Sequence, residues 1–203
     1  MKAKGELDAE IAITMIVKPE YTGRFYCFFT EGVTLPVKTG CTLKEMVCDQ
    51  LGVAEDYFEE RIQTIFLNFK AVDEPEKTLV KDGAIIALSA AMPGLVGATM
   101  RKGGTYAVLR SSISFSEIGE DIEQRRGWIT LKLLNMVGRE LGPLLLANGV
   151  YVMAERVASF LKTRLAELKN EGCEGTLNGK AVSWEQVIAM KLSGKKVYFK
   201  VSV

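Results

Sequence analysis

The sequence contains no histidine. That absence removes Ser-His and Cys-His nucleophile pairs, the commonest general base, and His-ligated zinc or iron. Cysteine is scarce: Cys27, Cys41, Cys48 and Cys173, with no Cys-x-x-Cys pair. A zinc site of cysteines alone would need all four, and their uneven spacing does not resemble a structural site. No metal or other cofactor is therefore expected. Cys27 lies in an aromatic segment and Cys48 on the apolar side of an expected helix, which suits buried thiols acting as small hydrophobes. Neither charge sign dominates. A net charge of +1 gives no long-range field toward nucleic acid or an anionic membrane, so neither is an expected partner. The basic pairs Arg125-Arg126 and Lys195-Lys196 read as solvated surface. Residues 131–153 are apolar, but Lys132, Arg139, Glu140 and Gly142-Pro143 interrupt the run of about 20 uncharged residues that a spanning helix needs. No signal peptide is evident, and with reduced thiols this points to the cytoplasm.

What is present is an ordinary globular balance, 48% apolar and 25% charged over 203 residues. That suffices for one large domain or two small ones without staples. The chain is organised around residues 62–104. Residues 62–66 and 84–90 read as strands, and Pro75, Asp82 and Gly83 break the chain between them. An Asp-Gly pair just before a strand suits a position needing positive φ.

Ahead of this stretch, residues 1–10 are polar and read as a leader. Residues 11–17 (IAITMIV) read as a buried strand, residues 24–30 (RFYCFFT) as an aromatic one, and residues 33–38 as extended with Pro36 favouring an edge or a strand end. Thr42-Leu43-Lys44-Glu45 has the form of a capping box. Leu43, Met46, Val47 and Leu51 recur at helical spacing, and Gly52 supplies a stop. The expected order is strand, strand, helix, strand, strand.

A threonine-capped helix ends in glycine, a strand enters Leu67-Asn68 with Val72 soon after, and Asp82-Gly83 precedes a last apolar strand. This pattern resembles the ubiquitin-like β-grasp, and more narrowly the small sulfur-carrier proteins of molybdopterin and thiamin synthesis. It covers residues 11–94, under half the chain. The resemblance implies docking to adenylating or synthase-type enzymes. Family members end in Gly-Gly, and the free terminal carboxylate is adenylated and converted to a thiocarboxylate. Counted from Gly83, that pair falls on Gly94 and Leu95, so only the first position matches and the chain continues. The pair Gly103-Gly104 comes later and is also followed by more chain. As written, there is no tail to activate.

The expected organisation is therefore α+β, with an N-terminal β-grasp domain over 1–94 and a glycine-rich connection over 95–104. An α+β domain over 105–203 would hold a helical hairpin and a C-terminal strand–helix–strand segment. Within the connection, Gly94, Gly97, Arg101, Lys102, Gly103 and Gly104 are candidates for a processing or binding loop. Their glycine spacing fits neither the Walker nor the dinucleotide pattern. Residues 106–115 read as a strand or extended arm, and Ser116 as the cap of a helix over 117–126. Residues 128–141 read as a helix that Gly142-Pro143 should interrupt, and residues 150–169 as a second helix. These two would pack as a hairpin or form a homodimer interface. Leu177-Asn178-Gly179-Lys180-Ala181-Val182 echoes Leu67-Asn68-Phe69-Lys70-Ala71-Val72, which fits either a degenerate second half of the β-grasp or a common turn.

Three functions fit this reading. The first is a non-enzymatic partner-binding or regulatory protein. The second is a sulfur carrier released by cleavage near Gly104. The third is an enzyme with an interdomain cleft, using Arg101, Lys102, Arg110, Ser111 and Ser112.

Overall fold

The computed structural model describes residues 11–115, 123–190, 192 and 194–203. In chain order the strands are β1 (Ala12–Ile16), β2 (Val33–Thr39), β3 (Thr64–Leu67), β4 (Lys70–Ala71), β5 (Ile85–Ser89), β6 (Arg125–Leu133), β7 (Val150–Met153), β8 (Glu174–Leu177), β9 (Lys180–Ala181) and β10 (Lys196–Ser202). The α-helices are α1 (Cys27–Glu31), α2 (Leu43–Glu45), α3 (Glu55–Glu60), α4 (Gly94–Met100), α5 (Asn135–Asn148), α6 (Ala154–Asn170) and α7 (Trp184–Ala189). Internal contacts divide the chain into two compact units. One is an inserted unit, Phe29–Leu141, and the other a split unit of Met1–Phe28 with Gly142–Val203. The expected leader, residues 1–10, and most of the expected helix over 117–126 lie outside the described residues.

In the inserted unit the strands lie in the order β4-β3-β5-β6-β2. β5 and β6 are parallel, and every other neighbouring pair is antiparallel. The alternation of β2 sends Val33, Leu35 and Val37 inward while Pro36 and Lys38 stay exposed. The capping box forms as expected. The Glu45 N–H donates to Thr42 Oγ1 at 3.2 Å, and the Thr42 N–H donates to Glu45 Oε2 at 2.8 Å. α2 runs on as a π turn over Met46–Gln50, burying Leu43, Met46 and Val47, and Gly52 follows at φ +73°. Gly83 takes the expected positive φ, +79°. Its N–H donates to the Trp128 carbonyl at 2.7 Å, and Asp82 Oδ1 accepts from the Trp128 N–H at 2.8 Å. The Asp-Gly turn thus ties β5 to a strand far along the chain.

In the split unit the order is β7-β10-β1-β8-β9. β10 and β1 are parallel, and the other neighbours are antiparallel. The C-terminal strand–helix–strand is present as β9, α7 and β10. Its core includes Phe25, Phe28, Phe160 and Phe199, with ring centroids 5.0 Å apart for Phe25–Phe160 and for Phe28–Phe199. Such pairs contribute about 0.5–1.5 kcal/mol each beyond their area burial.

Several expectations are corrected. Residues 11–17 do form a strand, but β1 belongs to the split unit and pairs with β10 and β8. Residues 24–30 are helical: a 3₁₀ segment Pro19–Tyr26 leads into α1. The buried residues Phe25, Phe28 and Phe29 recur at i, i+3, i+4, which is helical spacing despite their β propensity. Residues 128–133 are strand, because Ile129, Leu131 and Leu133 alternate inward against Trp128, Thr130 and Lys132. The helix begins only at Asn135 and runs through Gly142-Pro143 to Asn148. Burial of Val137, Leu141, Leu145 and Leu146 on both sides of the proline offsets its lost hydrogen bond. Residues 150–153 are strand, with Val150 and Val152 buried, so the expected hairpin does not form with those bounds. Residues 105–113 are 3₁₀, and only Ser114 and Phe115 extend, against β4.

The two Asn-containing motifs form the same hairpin. Leu67 pairs Lys70 and Phe66 pairs Ala71 in one; Leu177 pairs Lys180 and Thr176 pairs Ala181 in the other. Both turn residues are left-handed in each: Asn68 and Phe69 at φ 49° and 68°, Asn178 and Gly179 at 50° and 78°. Asn68 Oδ1 accepts from the Ile85 N–H at 2.9 Å, and Asn178 Oδ1 accepts from the Ala12 N–H at 2.7 Å. Each asparagine thereby holds the first or a terminal residue of the strand beside its hairpin.

Candidate functional site

The six glycine-rich-stretch candidates lie in a segment of the inserted unit between β5 and β6. Pro93 precedes α4 in extended conformation without a side-chain cap, and Gly94 opens the helix at φ +78°. Gly97 is buried on the carbonyl of Met92; a Cβ built there would sit 1.9 Å from that oxygen. Glycine at this position is a packing requirement. Arg101 Nε donates to Gln63 Oε1 at 2.6 Å. Lys102 Nζ donates to the Phe58 carbonyl at 2.9 Å, lies 3.4 Å from Glu59 Oε2, and sits 4.5 Å over the Phe58 ring. The Gly103 N–H donates to Asp73 Oδ1 at 3.0 Å, and the Gly104 N–H to the Arg101 carbonyl at 3.1 Å.

The structure thus brings these residues together as a scaffold. Its centre is Arg110, only 3% exposed. The guanidinium donates to Asp73, to the Thr99 carbonyl, and to the Arg101 carbonyl at 3.3 Å. With Ser114 Oγ at 3.5 Å, four groups from three backbone segments close on one planar cation, the geometry a guanidinium satisfies best. Sequence reasoning named Arg110 only as one of a cluster of cleft residues and missed Asp73 altogether. No local pattern links positions so far apart. The side chains of Ser111 and Ser112 lie outside what the structure describes.

This scaffold presents apolar side chains to solvent. Leu95, Val96, Val108 and Leu109 are 70%, 69%, 79% and 67% exposed, with Tyr106 and Ile113 also exposed. α4 packs on the 105–113 turn that carries the latter four. Phe69, at the tip of the β3–β4 hairpin, is 75% exposed at φ +68°. A left-handed backbone costs a non-glycine residue about 1–2 kcal/mol, and Gly179 avoids that cost at the matching place in the other hairpin. Sequence reasoning passed over these side chains. The available signal was Leu95-Val96 directly after a helix-opening glycine.

The chemistry available elsewhere is limited. Burial pushes the thiols of Cys27, Cys41, Cys48 and Cys173 up, away from the nucleophilic thiolate. Tyr57 is pushed up by burial and by its hydrogen bond to Glu140. Arg61 and Tyr57 hold the Glu140 carboxyl below the usual range. Hydrogen bonding from Lys44, then the charge of Lys102, does the same to Glu59. These are ion pairs with structural partners. A cavity of about 10 Å³ in the split unit, lined by Tyr21, Phe25, Arg164 and Cys173 among others, has room for one water. Among the described residues no group of His, Cys, Asp or Glu could hold a metal ion, and no helix is long and apolar enough to cross a membrane. No protein-family model matches this chain, and neither a curated protein nor a solved structure matches it.

Proposed function

We propose that this chain is a non-enzymatic protein-binding module built on a sulfur-carrier-like β-grasp, docking its partner through the apolar surface of the 94–113 segment. The observation that carries this reading is the exposure of Leu95, Val96, Val108 and Leu109 on a segment tied to the β3–β4 hairpin by Arg110. Clustered apolar exposure on an ordered scaffold marks interaction sites. The β-grasp part rests on the resemblance, supported by the capped helix, the Asn turn and the Asp-Gly turn lying within one unit. A partner of the adenylating or synthase type is what that resemblance implies.

The carrier alternative is less well supported. Cleavage after Gly104 would place β6, the partner of both β5 and β2, on a separate chain. The Gly103 N–H is also tied to Asp73, where a carrier needs a free tail.

The test is affinity purification of the untagged protein from its own organism, against a Val108→Asp/Leu109→Asp variant. Loss of a stoichiometric partner from the variant, with unchanged thermal unfolding, is expected. Recovery of the same partners by both proteins would refute the docking surface.

A further inference from the structure

Among the described residues no strand pairs with the outer edge of β9, whereas the matching edge of β4 is covered. In the β3–β4 hairpin the closing pair Leu67–Lys70 spends its backbone groups within the hairpin. The pleat then turns the N–H and C=O of the next residue, Ala71, outward. The chain fills that edge itself: Ser114 bridges Ala71 in parallel, and the Phe115 N–H donates to the Ala71 carbonyl at 2.8 Å. Ala71 is 1% exposed.

The β8–β9 hairpin repeats each step of this geometry. Leu177 and Lys180 close the turn, and Thr176 faces Ala181. The Val182 N–H returns to the Gly175 carbonyl at 3.0 Å, as the Val72 N–H returns to Ile65 at 2.9 Å. The outward groups are therefore those of Ala181. Lys180 and Ala181 are both exposed, and among the described residues no strand or bridge lies on that side.

The geometry points to β9 as a strand-addition site for an extended segment of a partner protein, running parallel to β9 and pairing one residue with Ala181. Its chemistry is indicated by the segment that this chain places on its own β4 edge: a small polar residue opposite the alanine, followed by an aromatic whose N–H donates to the alanine carbonyl. Main-chain bonds would supply the pairing and the following aromatic its specificity. This surface is separate from the apolar one of the 94–113 segment and stands without it.

The test uses full-length ¹⁵N-labelled protein and the capped peptide Arg-Ser-Ser-Ile-Ser-Phe, the sequence of residues 110–115. Saturable amide shifts at Ala181 and Val182, with slowed exchange of the Ala181 N–H, are expected. The same peptide N-methylated at phenylalanine should lose the shifts, since it lacks the donor. An Ala181→Pro protein should lose them too, and the methylated peptide keeps the test independent of how that variant folds. Four outcomes would overturn the proposal: no shifts at millimolar peptide, shifts confined to Lys70–Val72, equal binding of the methylated peptide, or self-association that covers Ala181 with a second copy.

Discussion

Arg110, buried, and Asp73, half-buried, form an ion pair that joins the 105–113 turn to the end of the β3–β4 hairpin. Asp73 also accepts from the Gly103 N–H, so one carboxylate anchors both the turn and the glycine pair before it. The pairing turns a glycine-rich stretch into an ordered platform. Arg110→Ala leaves the carbonyls of Thr99 and Arg101 without their donor. Because Asp73 is one-third exposed, the loss is smaller than for a fully buried pair, about 2 kcal/mol. Amide exchange at Gly103 should accelerate roughly thirtyfold, with β10 amides unchanged, measured by hydrogen exchange.

Two glycines of α4 separate packing from backbone strain. Gly97→Ala drives a methyl into the Met92 carbonyl and should cost about 1–3 kcal/mol. Gly94→Ala meets no atom within 4 Å but must hold φ +78°, at about 1–2 kcal/mol. The first should displace α4, visible as chemical-shift changes at Met92 and Leu95. The second should lower the thermal midpoint with α4 in place.

Phe69→Gly should stabilise the inserted unit. It relieves a left-handed phenylalanine and restores the Asn-Gly turn found at Asn178-Gly179. Relief of about 1–2 kcal/mol, less about 0.5–1 kcal/mol of glycine entropy, leaves a net gain of about 0–1.5 kcal/mol. Protection of the β3–β4 amides reports it. If partner binding weakens in the same variant, the exposed ring is retained for contact.

Asn68→Ala and Asn178→Ala should cost similar amounts, about 1–2 kcal/mol each. Each change removes one hydrogen bond to a strand backbone N–H and places alanine at positive φ. Exchange should quicken at Ile85 in the first and Ala12 in the second. Strongly unequal effects would show that the two hairpins are held differently.

Acid should loosen the contact between α3 and α5. Arg61 and Tyr57 lower the Glu140 pKa in the folded state, so its stabilisation is present above the unfolded carboxylate value. It is lost as pH falls through the folded value. Thermal midpoints from about pH 7 to pH 3 should fall below about pH 4.5. In Glu140→Gln that fall should be shallower, from a lower starting point.

Short-range patterns were readable because the partners are sequence neighbours. Thr42 and Glu45 are three residues apart, Asp82-Gly83 makes its own turn, and the echo between the Asn68 and Asn178 motifs was visible, though not that both are tight hairpins. Residues 24–30 were misread because residue type was weighed above spacing, and residues 128–133 because the helical spacing of Leu133, Val137 and Leu141 was carried back over them. Phe25, Phe28 and Phe29 follow a helical period and bury one helical face. Ile129, Leu131 and Leu133 follow a period of two and bury one sheet face. How the candidates of the glycine-rich stretch are held did not show in the sequence. Gly103 is held by Asp73 and Lys102 by Phe58 and Glu59, partners too distant in sequence for any local pattern to reveal.

The amino-acid sequence by itself determined where turns and caps fall, and it ruled out histidine chemistry, because those properties belong to single residues and near neighbours. Tertiary structure alone decided which strands meet. β1 lies parallel to β10, and β6 lies between β5 and β2, by hydrogen bonds that any extended segment can make. Backbone pairing carries no side-chain signature, so the choice of partner rests on which faces can be buried together. The same selection left Leu95, Val96, Val108 and Leu109 outside.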